Sequence, residues 1–105
     1  MNKWRRYEVT VPAQFNDGAN VPDELTGDAM LELLDFFGGV SFETQIVRGK
    51  WREGGMVYED NSIRLVVDVP DTVKNRGWMK SFKERWKKRL KQLEIWMVSY
   101  SIRVE

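Results

Sequence analysis

Apolar and polar residues alternate from Tyr7 to Phe15. Tyr7, Val9, Val11, Ala13 and Phe15 lie on one side, with Glu8, Thr10, Pro12 and Gln14 on the other. A period of two predicts a half-buried strand. Asn16-Asp17-Gly18 follows as a turn signal. Pro22-Asp23-Glu24 then opens a helix, because proline suits the first turn and carboxylates suit the positive end of the helix dipole. Leu25, Ala29, Leu33 and Phe36 or Phe37 recur at helical spacing, and Gly38-Gly39 supplies a left-handed stop.

A second strand begins at Val40, with Val40, Phe42, Thr44 and Ile46 on one side. A third carries Ile63, Leu65, Val67 and Val69 on one side and ends at Pro70. Gly54-Gly55 between them is a two-residue hairpin turn of the primed type. A turn centred there sets Val40 opposite Val69, Phe42 opposite Val67, Thr44 opposite Leu65 and Ile46 opposite Ile63. Each inward residue then faces another inward one, although the turn and the alternation are separate signals. The same register puts Lys50 opposite Glu59 and Trp51 opposite Tyr58, both favourable cross-strand pairs. A bulge near Asp60-Asn61 would break it.

A long helix is expected from Asp71 or Thr72 to Leu93, with Trp78, Phe82, Trp86, Leu90 and Leu93 as one apolar stripe. Gly77 is a weak point near its start. The last strand is Ile95 to Val104. Trp96, Val98, Tyr100, Ile102 and Val104 form its apolar side, and Ile95 and Met97 make its first half apolar on both. Right-handed crossovers then give an α+β chain, one domain over residues 1–105. It has the ferredoxin-like βαββαβ order, a four-stranded antiparallel sheet with two helices on one face.

With Asn16-Asp17-Gly18, Phe37-Gly38-Gly39-Val40-Ser41, Gly49-Lys50-Trp51 and the basic second helix ending in Lys91-Gln92 in place, the chain resembles a group of small uncharacterised bacterial proteins. The resemblance implies a ferredoxin-like βαββαβ fold and carries no activity with it. The wider ferredoxin-like class includes RNA-binding modules, small-molecule sensors and cofactor-free oxygenases that form dimeric barrels, so fold alone does not choose a function.

Composition narrows the chemistry. The 105 residues contain neither cysteine nor histidine. That removes disulfides, thiolate nucleophiles, sulfur-based zinc sites and the usual general base near neutral pH. No P-loop and no G-x-G-x-x-G is present. No cofactor is expected, and an enzyme would have to work with carboxylates, Lys, Tyr or Trp. No apolar run approaches the roughly 20 residues that span a bilayer. No signal-like stretch follows Met1-Asn2-Lys3-Trp4, so the expectation is an intracellular, cytoplasmic protein.

Net charge is only +1, yet it is unevenly spread. From Tyr7 to Val47 there are eight acids and no Lys or Arg. The second helix carries Lys74, Arg76, Lys80, Lys83, Arg85, Lys87, Lys88, Arg89 and Lys91 against one acid, Glu84. The simplest account is a solvated face attracting the acidic first helix across the groove between them. The alternatives are a nucleic-acid backbone gripped by Lys80, Lys83, Lys87, Lys88 and Lys91, and a membrane surface or an acidic partner; the near-neutral total charge weakens every polyanion reading. Sheet-face RNA binding is disfavoured as well, since the open face carries Glu8, Thr10, Arg64 and Val66 where such modules need stacking aromatics.

The helix-free face is the other candidate surface. Trp51 and Tyr58 belong to it by hairpin register, Trp4 by parity, and Val47, Val66, Ile95 and Met97 add apolar area. An uncovered apolar patch marks an interface, so a homodimer or other homo-oligomer is expected there, with Trp4, Trp51, Tyr58 and Arg64 as its binding residues. Trp78, Phe82, Trp86 and Trp96 read as core. Asp17, Tyr58, Glu59 and Asp60 are the acid–base candidates, and carboxylates in turns are more often solvated or capping. The leading expectation is a non-catalytic interaction or ligand-binding module. A nucleic-acid-associated protein comes second, and a cofactor-free enzyme of the dimeric barrel type third.

Overall fold

The structure is a computed structural model that describes residues 3–43 and 46–105. In chain order it contains β1 (Trp4–Pro12), α1 (Asp23–Phe37), β2 (Ser41–Phe42), β3 (Val47–Glu53), β4 (Met56–Pro70), α2 (Val73–Arg89) and β5 (Trp96–Ile102). Every strand pairing is antiparallel. The sheet runs β2-β4-β1-β5, and β3 also pairs with β4. This is the expected α+β order with one correction: five strands, not four, because the predicted second strand is split.

The split explains the hairpin. From Val47 opposite Ser62 to Glu53 opposite Met56 the ladder follows the predicted register, including Lys50 with Glu59 and Trp51 with Tyr58. At the base Phe42 faces Leu65 where Val67 was expected, and Ser41 faces Val66. The register therefore slips by two residues between β2 and β3. A slip of two keeps every side chain on its own face, so Phe42 still sits opposite an inward residue. The predicted Thr44–Leu65 pair lies outside the described residues. Ile46, expected inward, is 53% exposed. β4 itself runs unbroken through Asp60-Asn61, so the irregularity belongs to its partner strand. Gly54 and Gly55 have φ of 58° and 80°, as a type I′ turn demands at both central positions.

One face of the sheet carries the core. Tyr7, Val9 and Val11 of β1 and Leu65, Val67 and Val69 of β4 are buried in one cluster with Ala29 and Leu33 of α1 and Met79, Phe82 and Trp86 of α2. These strand residues share one parity, so both helices cover the same side. α1 ends where predicted: Gly38 is left-handed at φ 83° and donates its N–H to Leu34 O. α2 starts with Thr72 Oγ1 accepting from the Asn75 N–H and runs straight through Gly77.

Three expectations fail here. β1 ends at Pro12, so Ala13 and Phe15 lie beyond it. α2 ends at Arg89, four residues short of Leu93, which is 95% exposed. Gln92 donates to Lys87 O and Lys91 to Lys88 O, a Schellman stop with Lys91 itself left-handed at φ 56°. Third, the faces of β5 are reversed. Ile95 is 2% exposed and Met97 packs on the core, whereas Trp96 is 71% exposed and Val98 and Tyr100 stand on the outer side with it.

Candidate functional site

The helix-free face is built from the alternate residues of three strands. β1 contributes Trp4, Arg6, Glu8 and Thr10. Register places Ile102, Tyr100, Val98 and Trp96 beside them on β5, and Pro70, Asp68, Val66 and Arg64 on β4. The reversal of β5 thus moves four apolar side chains onto this face and takes Ile95 and Met97 off it.

The face divides into two bands. Along β1 and β4 the side chains are charged and paired. Arg6 grips Asp68 through two hydrogen bonds, Nε to Oδ1 at 2.7 Å and Nη2 to Oδ2 at 2.9 Å. Arg64 reaches Glu43 at 2.9 Å and Glu8 at 3.6 Å. Tyr100 Oη donates to Glu8. That bond to a carboxylate pushes the phenol above its ordinary value, and the Asp68 fork does the same for the Arg6 guanidinium. Along β5 the row Trp96, Val98, Tyr100, Ile102 carries no charge and faces solvent over much of its length. A trough of about 770 Å³ between Trp4, Ile102, Lys3 and the terminal Arg103 to Glu105 extends it at one end.

The four residues expected to form this surface do not meet. Trp51 and Tyr58 stack at 4.5 Å between ring centroids, and Trp51 Nε1 donates to Asp60 at 2.5 Å. They stand on an arm: among the described residues β3 pairs only with β4, and every residue from Lys50 to Asn61 is exposed. Tyr58 is twelve residues along β4 from Pro70, the partner of Trp4, a distance of about 40 Å for a strand. Arg64 and Trp4 do lie on the face. Sequence reasoning missed Trp96, Val98 and Tyr100 as its apolar band, and the signal that could have found them was the doubly apolar start of the last strand.

The basic face of α2 is paired in part. Arg85 bonds Glu32 and Arg89 lies 3.2 Å from Asp28, so the expected attraction across the groove to α1 is present. Lys83 and Lys87 reach Glu94 at 2.9 and 3.8 Å, and Lys87 also reaches Glu84. Lys80, Lys88 and Lys91 make no ion pair among the described residues, and the Lys91 ammonium sits 5.6 Å from the Phe15 ring centroid.

The acid–base candidates have structural partners. Asp17 accepts from the Ala19 N–H, Glu59 pairs with Lys50 at 3.4 Å, and Asp60 holds the Trp51 indole. Tyr58 Oη sits 3.9 Å from Met56 Sδ. A smaller hollow of about 240 Å³ opens between Phe15, Asn16, Asp17 and Lys91. The space between sheet and helices is filled by Trp86, Phe82, Met79, Leu33 and Leu65.

No family model and no curated protein sequence matches the chain. Solved structures do. A phage SAM lyase in complex with S-methyl-5'-thioadenosine superposes with a TM-score of 0.71 at 13% identity, over 100% of this chain and 93% of that one. The divalent cation tolerance protein CutA1 of Thermus thermophilus gives 0.67 at 19% identity, over 97% and 86%. CutA1 of Oryza sativa gives 0.63 at 16%, over 99% and 84%. At these identities the likeness establishes the fold: this chain has the small α+β architecture, fitting the ferredoxin-like class, that those proteins share.

Proposed function

We propose that this chain works as a small self-associating module for interaction or ligand binding, with the helix-free sheet face as its contact surface. The observation that carries the reading is the β5 row, where Trp96 alone is 71% exposed and offers on the order of 150 Å² of aromatic surface to solvent. A chain of 12.4 kDa has little surface to spare for such a row unless something covers it. Analytical ultracentrifugation of the full chain at micromolar concentration is expected to show a species larger than the monomer. Sedimentation as a monomer alone would overturn the reading.

A second reading is favoured by one comparison, the phage SAM lyase that this chain matches over its whole length. In that reading the chain is a cofactor-free enzyme acting on a nucleoside sulfonium compound, completed by association, with Tyr100 and Glu8 as its proton-handling pair. The filled interior favours a site between subunits over one within a subunit. Incubation with SAM followed by chromatography is the test: release of S-methyl-5'-thioadenosine that is lost in Glu8→Gln and Tyr100→Phe supports it, and no release removes it.

A further inference from the structure

The two free edges of the sheet differ in kind. β3 presents Arg48, Lys50 and Arg52 along seven residues, and charges of this sort keep an edge from pairing with another chain. β5 presents Trp96–Ile102, seven residues with no charge, no proline and no glycine. It pairs with β1 on one side, and no strand among the described residues pairs with its other side. An uncharged, β-prone edge of this length is a template for strand addition.

We propose that β5 pairs antiparallel with β5 of a second copy across a two-fold axis at Ser99, joining two five-stranded sheets into one. The inference rests on the self-association proposed above and names its surface. The strand is complementary to itself. Centred on Ser99 it overlaps over its full length, with Trp96 facing Ile102 and Val98 facing Tyr100 on the helix-free side, and Met97 facing Ser101 on the other. This register also continues the pleat, keeping the helices of both copies on one side of the joined sheet.

Charge separates the second copy from other uses of the two edges. No like charges meet along the β5 ladder. Just beyond it Arg103 comes opposite Ile95, beside Glu94 of the second copy, and the two side chains are 87% and 60% exposed. β3 paired with itself about Lys50 would instead set Arg48 against Arg52 and Lys50 against Lys50, which repels.

The chain lacks cysteine, so Ser99→Cys introduces one thiol at the axis. Facing Cα atoms in an antiparallel pair are about 4.5–5.5 Å apart, within disulfide reach. Ser99 is exposed and its hydroxyl only accepts from Arg5 at 3.1 Å, so little else is lost. Under mild oxidation S99C is expected to run as a covalent dimer on a non-reducing gel, at a concentration where Lys50→Cys stays monomeric. Val98→Lys, with an unchanged circular dichroism spectrum, is expected to weaken association at least tenfold. A wild-type chain that sediments as a monomer overturns both this pairing and the self-association reading. An oligomer in which S99C stays uncrosslinked, or crosslinks only when mixed with K50C, leaves self-association standing and overturns the β5 pairing. If S99C fails to fold, a mixture of Val98→Cys and Tyr100→Cys reads the same axis: a mixed disulfide supports the pairing and its absence overturns it.

Discussion

Arg5 occupies a position on the helix side of β1 that the strand period reserves for an apolar side chain. Its guanidinium reaches Asp71 at 3.2 Å and donates to Ser99 and Ser101 at 3.1 and 3.4 Å. Asp71, its side chain only 5% exposed, is also held by Arg76 at 2.8 Å. The Arg76 hydrogen bond first, then the Arg5 guanidinium beside it, keep the Asp71 carboxyl below the ordinary aspartate value of 3.8. Lys83, and then the Ile95 N–H, lower Glu94 likewise from 4.5. A carboxyl whose folded value is depressed adds stability above its unfolded pKa and loses it as pH falls through the folded value. Urea denaturation across pH 2 to 7 is therefore expected to show the midpoint holding above about pH 5 and falling below about pH 4. Asp71→Asn should have a lower midpoint at pH 7 and a shallower acid slope. An identical slope in D71N would show that the arginines do not discriminate between the ionised and neutral forms.

Among the elements, α1 separates buried from exposed leucines two residues apart. Leu33 is fully buried, while Leu31 is 54% exposed. Leu33→Ala is expected to cost about 2–5 kcal/mol, and Leu31→Ala less than about 1 kcal/mol, by chemical denaturation. Equal losses would mean that α1 is rotated on the sheet. The helical period, the glycine stop at Gly38 and the glycine turn at Gly54-Gly55 were all readable, because each rests on local backbone preference. The end of α2 was not, since the left-handed position is held by Lys91, a residue that gives no stop signal. The face of β5 was misread for a tertiary reason. Its odd residues turn polar at Ser99 and Ser101 because Arg5, and not a helix, lies beneath that half of the strand. Alternation then pointed to the even residues as core. The same error hid the apolar band of the candidate site and lent Ile95 and Met97 to it.

Across the whole molecule, charge and shape act separately. The acidic first half and the basic α2 meet through Arg85–Glu32 and Arg89–Asp28, so much of the field that would draw a polyanion is spent within the fold. Shape is the less symmetrical property: the principal extents are 47 × 29 × 24 Å. The β3–β4 arm has no helix over its exposed residues, Lys50 to Asn61, and few apolar contacts means low local stability. Hydrogen exchange is expected to release the hydrogen-bonded amides of the arm on the order of 100-fold faster than those of Tyr7 and Val9, which β4 and β5 flank. Exchange of the arm and the body at one rate would mean that both open together.

Because β4 is a single strand from Met56 to Pro70 and pairs with β1 from Ser62 onward, the glycine turn rides at the far end of a stalk about 20 Å long. A fluorophore or peptide tag spliced between Gly54 and Gly55 would stand clear of both helices. It would let the chain be immobilised by its tip with the β5 border left unobstructed.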